Sequence, residues 1–124
     1  MPEKFYSVEE ANALVPQLKA LLQRIRDTQQ ALAEDKTLAT VREKAALNGG
    51  GRPGRHLAEL TRTLERDLRQ LDEWGIVLRD PSIGLIDFFH RREGDTVFLC
   101  WKLGETHVEW WHPVDTGIAG RQRL

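Results

Sequence analysis

The chain has 124 residues, with 18 lysines and arginines against 19 aspartates and glutamates for a net charge of −1, and it is 40% hydrophobic and 30% charged. That composition is too apolar and too nearly neutral for a disordered chain, and it withholds the broad positive field that non-specific nucleic-acid binding requires. A chain of this length can bury roughly two thirds of its unfolded surface, so its core needs neither a disulfide nor a metal.

Cys100 is the only cysteine, which excludes an intrachain disulfide. The opening Met1-Pro2-Glu3-Lys4-Phe5-Tyr6-Ser7 lacks the basic segment and apolar run of a signal peptide, and no stretch reaches the ~20 apolar residues of a membrane span. These features predict a cytoplasmic protein of one domain, residues 1–124, with no membrane partner.

From Ser7 to about Ala46 the pattern is helical. Ser7 and Glu10 match a capping box, in which each side chain satisfies the other's free backbone amide. Leu14, Leu18, Leu21, Leu22, Ile25 and Leu32 form one apolar stripe, and Pro16, which cannot donate to the carbonyl of Asn12, predicts a kink. A single helix over this span would be about 60 Å long, against a radius of gyration near ~14 Å for a compact chain of this size. A break around Asp35 to Thr40, or an elongated molecule, is therefore expected. The glycines and proline of Asn48-Gly49-Gly50-Gly51-Arg52-Pro53-Gly54 end helicity. This loop reads as an interhelical turn, with phosphate binding by its amides, Arg52, Arg55 and His56 as the alternative. A second helix from about Arg55 to Trp74 carries Leu57, Leu60, Leu64, Leu68 and Leu71, which completes an antiparallel hairpin over about residues 7–74.

At Gly75 the period changes to two and the residues become β-branched or aromatic. Strands are predicted near Ile76–Arg79, Leu85–Arg91, Val97–Lys102 and His107–His112, followed by a tail over 113–124. Glu93-Gly94-Asp95-Thr96 and Leu103-Gly104-Glu105-Thr106 read as two-residue hairpin turns with glycine first of the two central residues. In the resulting register Phe88 opposes Trp101, and Asp87 opposes Lys102 and His107. Ile86, Phe88, His90, Val97, Leu99, Trp101, Val108, Trp110 and His112 would then face the helices. Phe89, Phe98 and Trp111 would share the other face, a mixed patch that suggests an interface. One extra turn residue would exchange the faces of the strand that follows.

Taken in order, Phe5, Ser7, Glu10-Ala11-Asn12, Leu14 and Pro16, then Gly75-Ile76, Arg79-Asp80, Gly84-Leu85-Ile86-Asp87-Phe88, Leu99-Cys100-Trp101-Lys102-Leu103-Gly104-Glu105, Trp111-His112, Gly117 and Gly120-Arg121 resemble domain-of-unknown-function family 2203, a group of small bacterial proteins. The resemblance spans nearly the whole chain, and its Leu-Cys-Trp-x-Leu-Gly-Glu and Trp-His elements are its most specific part. It implies no activity, but it marks Glu10, Asp87, Cys100, Glu105, His112 and Arg121 as positions where a shared ligand-binding function would sit.

No strongly diagnostic catalytic motif is present. Asp87, Cys100, Glu105, His107, Glu109 and His112 offer the oxygen, sulfur and imidazole donors that divalent metals use, with Asp87, Glu105 and His112 as the preferred ligands. The competing reading is an Asp87–Lys102 cross-strand ion pair flanked by half-exposed histidines. Cys100 reads either as a nucleophile served by His107 and Lys102 or as a small buried apolar residue. Arg121 could bind an anion, and Arg123 is assigned to solvation of the terminus. The leading expectation is an α+β interaction protein, a helical hairpin packed on a small antiparallel sheet, that self-associates as a dimer. The alternative is a metal- or small-ligand-binding protein or enzyme built on Asp87, Glu105 and His112, with Cys100 secondary.

Overall fold

A computed structural model describes residues 4–45 and 53–124. Helix α1 spans Val8–Ala45 and opens on the predicted capping box: the Ser7 N–H donates to Glu10 Oε1 at 2.9 Å, and the Glu10 N–H donates to Ser7 Oγ at 3.0 Å. These bonds hold the Glu10 carboxyl below its ordinary range. A depressed carboxylate contributes stability above its unfolded pKa and loses it as the pH falls through the folded value. Glu10→Ala is therefore expected to lower the melting temperature at pH 7, with the gap from wild type closing in acid. A gap independent of pH would show that the capping carboxylate contributes nothing.

The helix continues through Pro16 and through 35–40 without a break, which settles the length question in favour of the elongated alternative. Residues 46–52, with most of the glycine-rich turn and its phosphate-binding alternative, lie outside the described residues. Helix α2 spans Pro53–Glu73 and packs back along α1. On α1 the buried stripe is Ala11, Val15, Leu18, Leu21, Leu22 and Ile25, close to the predicted one. On α2 the structure corrects it. Leu68 is exposed, and Asp67 is 2% exposed in its place, because the i, i+3, i+7 pattern runs through Leu57, Leu60, Leu64, Asp67 and Leu71. Arg24 of α1 meets the buried carboxylate with two bonds, Nε to Oδ2 at 2.7 Å and Nη2 to Oδ1 at 3.0 Å, so the helices are joined by a fork-shaped ion pair as well as by leucines. No described helix is long and apolar enough to cross a membrane.

Five antiparallel strands follow in the order of the chain: β1 (Ile76–Asp80), β2 (Leu85–Arg92), β3 (Asp95–Lys102), β4 (Trp110–Pro113) and β5 (Gln122–Arg123). The architecture is the expected α+β hairpin on a sheet, but both predicted turns are corrected. Glu93 and Gly94 are the two central residues of the first turn, with φ of 52° and 86° and Arg92 opposite Asp95. Two consecutive positive φ angles match the right-handed twist of the flanking strands. Phe88 therefore opposes Leu99, and Asp87 opposes Cys100 in place of Lys102. This slip of two residues leaves every side chain of β3 on its predicted face.

The second connection changes faces. It is no tight hairpin: β3 ends at Lys102 and β4 begins only at Trp110. Extending the β3–β4 register would set Lys102 opposite Val108, yet both of their N–H groups are diverted to side chains. The Lys102 N–H donates to Glu105 Oε1 at 2.9 Å, and the Val108 N–H donates to Asn12 Oδ1 of α1 at 2.7 Å. The ladder stops there, and pairing resumes with Cys100 opposite Trp110 and Phe98 opposite His112. This is an odd shift from the predicted register, so β4 is inverted. Trp111 turns toward the helical side and packs on the core of Tyr6, Leu18, Leu22, Phe88, Leu99 and Trp101, while His112 turns to the outer face. Residues 113–124 are likewise more than a tail, since they form a 3-10 turn at Ile118–Gly120 and the edge strand β5.

Candidate metal centre

The outer face of the sheet is where the chain concentrates buried polarity. Asp87 on β2, Cys100 on β3 and His112 on β4 are 1%, 0% and 1% exposed, and one ligand atom of each lies within 4.8 Å of the others. An ionised group buried in apolar surroundings is costly unless it is paired or coordinates a metal. Here the pairing is incomplete. Asp87 Oδ2 accepts from Arg79 Nε at 2.8 Å and faces His112 Nε2 at 3.0 Å, whereas Asp87 Oδ1 is buried with no hydrogen-bond partner.

The imidazole is oriented by its other nitrogen. His112 Nδ1 lies 2.8 Å from the carbonyl oxygen of Pro113, and because a carbonyl only accepts, Nδ1 carries a hydrogen and donates it. Nε2 is thereby the nitrogen presented to the carboxylate and the thiol. With Nε2 unprotonated, its lone pair would oppose a carboxylate oxygen at 3.0 Å. A proton or a cation between them removes that repulsion. An Nδ1–H held by a backbone carbonyl, with Nε2 free for a metal, is the arrangement by which proteins orient a ligating histidine.

Burial pushes the Cys100 thiol up to about 12, the charge of Asp87 adds to the effect, and Arg121 opposes it. Without a bound cation the group stays S–H at neutral pH, which argues against the nucleophile reading, and His107 is not beside it. His107 is exposed on the connection between β3 and β4, with Nε2 2.7 Å from Glu109 Oε1. In the native protein without added metal, Cys100 is expected to react with an aromatic disulfide reagent only at the rate of unfolding. Immediate stoichiometric labelling would contradict its burial.

The other marked positions are separated by the fold. Glu105, a preferred ligand from the sequence, is committed elsewhere: its carboxylate takes both oxygens to Arg121 Nη2, at 3.1 and 2.9 Å, as well as the Lys102 N–H. Cys100 takes its place beside Asp87 and His112. Arg121 stacks over Trp110 at 4.9 Å from the ring centroid, so the Glu105–Arg121 pair clasps the C-terminal segment to the sheet. Glu10 lies at the start of α1, in the capping box with Ser7. Arg123, expected in solvent, is exposed there, with Nη2 3.6 Å from Glu109 Oε2 and its guanidinium 5.6 Å from the Trp110 ring. Phe89, Phe98 and Trp111 do not form one exposed patch: Phe98 is buried, Phe89 is half-buried against Phe5, and Trp111 is on the opposite face with Arg92 stacked over it.

Arg79, which sequence reasoning passed over, completes the site. Val77 lies opposite Asp87, and Arg79, two residues on, keeps that face by simple alternation, at the point where the β1–β2 register shifts between Leu78 and Asp80. Its guanidinium reaches Asp87 and stacks over Phe98 at 4.9 Å from the centroid. Arg79, Leu85, Gly117 and Ile118 line a partly open cavity of about 130 Å³ over the three candidate ligands. Gly117, at φ 64° and ψ −163°, takes an extended positive-φ conformation that essentially only glycine adopts and that leads into the Ile118–Gly120 turn. A larger open depression of about 430 Å³, near Arg92, Trp111 and Val114, lacks any buried donor cluster.

A family model described as an uncharacterized conserved protein matches residues 4–124. The chain belongs to the DUF2203 family. No curated protein and no solved structure matches it. Of the marked DUF2203 positions, this fold brings Asp87, Cys100 and His112 together, uses Glu105 and Arg121 to fasten the segment beside them, and leaves Glu10 at the start of α1.

Proposed function

We propose that this DUF2203 protein binds one divalent transition metal through Asp87 Oδ1, Cys100 Sγ and His112 Nε2. The observation that carries this reading is the buried, unpartnered Oδ1 beside an imidazole nitrogen whose tautomer is set by Pro113. A metal would satisfy Oδ1, take the Nε2 lone pair and replace the thiol proton, while Oδ2 keeps Arg79. Mixed sulfur, nitrogen and oxygen donors suit zinc and its neighbours, not magnesium or calcium. Tetrahedral zinc at ligand distances of about 2.0–2.3 Å sets its donors roughly 3.3–3.8 Å apart, a contraction within reach of small side-chain rotations from the present spread. Three protein ligands leave one position open, the pattern of reactive rather than purely structural zinc sites.

Protein purified without chelator is expected to carry about one metal ion per chain by elemental analysis and native mass spectrometry. After exchange into cobalt, a thiolate-to-cobalt charge-transfer band should appear and be absent in Cys100→Ser. A chain that neither retains a metal nor takes up zinc or cobalt in titration would overturn the proposal. The same native spectrum reads subunit number, and so tests the expected dimer separately.

A further inference from the structure

Three features of the site converge on what the open position would hold. The first is size. A cavity of about 130 Å³ is far below the 300–1,000 Å³ or so that drug-sized ligands occupy. The second is charge. Arg79 commits Nε to Asp87 and rests its plane on Phe98, and its side chain is still 42% exposed. Its two terminal nitrogens are not committed to Asp87, and their fork can hold one oxygen of an anion at the cavity wall. The third is the wall itself, where Leu85 and Ile118 supply apolar surface.

From these features we infer that the cavity binds a small planar oxyanion, a carboxylate or bicarbonate of about four heavy atoms. One oxygen would lie on the open metal position and the other against the Arg79 guanidinium. The inference rests on the metal reading above. It goes beyond it in assigning a ligand class and a residue outside the metal ligands that recognises it. Alternation along β1 delivers this residue: Val77 lies opposite Asp87, and Arg79, two positions on, shares that face.

The test uses the full chain loaded with saturating cobalt, with cobalt content measured in every sample. Titration with acetate or bicarbonate should change the visible cobalt spectrum saturably, while neutral acetamide leaves it unchanged and benzoate, too large for the cavity, acts at least tenfold more weakly. A response to only one of acetate and bicarbonate identifies which source of the planar oxyanion the site accepts, and both results support the inference. Arg79→Gln, loaded to the same cobalt content, should weaken acetate or bicarbonate at least tenfold, and Arg79→Lys should fall between, because it keeps the charge and loses the fork. Three results would overturn the inference and leave the metal reading standing: a cobalt-loaded chain silent to both anions, equal responses to acetate and benzoate, or an undiminished response in Arg79→Gln. A chain that takes no cobalt overturns both readings.

Discussion

Substitution of His112 by alanine is expected to abolish metal-dependent stabilisation of the protein. In wild type, zinc at 100 times its dissociation constant should add about 2.7 kcal/mol by mass action. For a chain of this size that is a rise in melting temperature on the order of 10 °C over the chelated sample. His112→Ala removes the nitrogen donor, and the rise should fall nearly to zero. The alanine also opens a void beneath the C-terminal segment, so absolute stability will drop with or without metal. The decisive quantity is therefore the difference between zinc and chelator within each variant. Cys100→Ser, which changes the donor with little change in volume, supplies the check. A variant of either residue that keeps the full zinc-dependent rise would remove that residue from the ligand set.

Phe88→Ala should have the largest effect on the fold itself, costing about 3–5 kcal/mol. Phe88 is 0% exposed on the helical face of β2, meets Tyr6 edge-on at 5.2 Å between ring centroids, and lies opposite Leu99 and Ile76 on the neighbouring strands. Its removal leaves a cavity between hairpin and sheet that rigid strands cannot collapse to fill. Against a typical stability of about 5–15 kcal/mol, the loss would bring the protein close to unfolding. Phe89→Ala, on the half-buried outer face, should cost distinctly less. Urea denaturation of the two variants measures both, and equal losses would place the core on the wrong side of the sheet.

These expectations depend on how much of the molecule its local patterns encode. Helix periodicity was legible because burial of a stripe requires spacings of three and four. The same rule contained the signal for Asp67, which occupies a stripe position between Leu64 and Leu71 and is buried there with Arg24 as its partner. It was missed because a carboxylate breaks the apolar pattern while obeying its geometry. The sidedness of β2 and β3 was legible for a related reason. A slip of two residues in their hairpin leaves alternation intact, so Asp87 and Cys100 share a face in both registers.

By its own patterns, then, the sequence determined the helical hairpin, its capped start, the antiparallel sheet and the common face of Asp87 and Cys100. Only the tertiary structure decided which residue joined them. The parity of β4 is set by one contact distant in sequence, the Asn12 side chain on the Val108 N–H, and by Glu105, which takes the nearby Lys102 N–H and reaches across to Arg121. An odd shift there turns His112 from the core to the outer face and sends Trp111 the other way. Arg79 shares a face with Val77 by alternation, but its reach to Asp87 shows only once β1 is paired with β2. Local propensity specifies alternation within a strand, but the registry of one strand against another is set by closure of the connection between them and by the side chains that capture its free N–H groups.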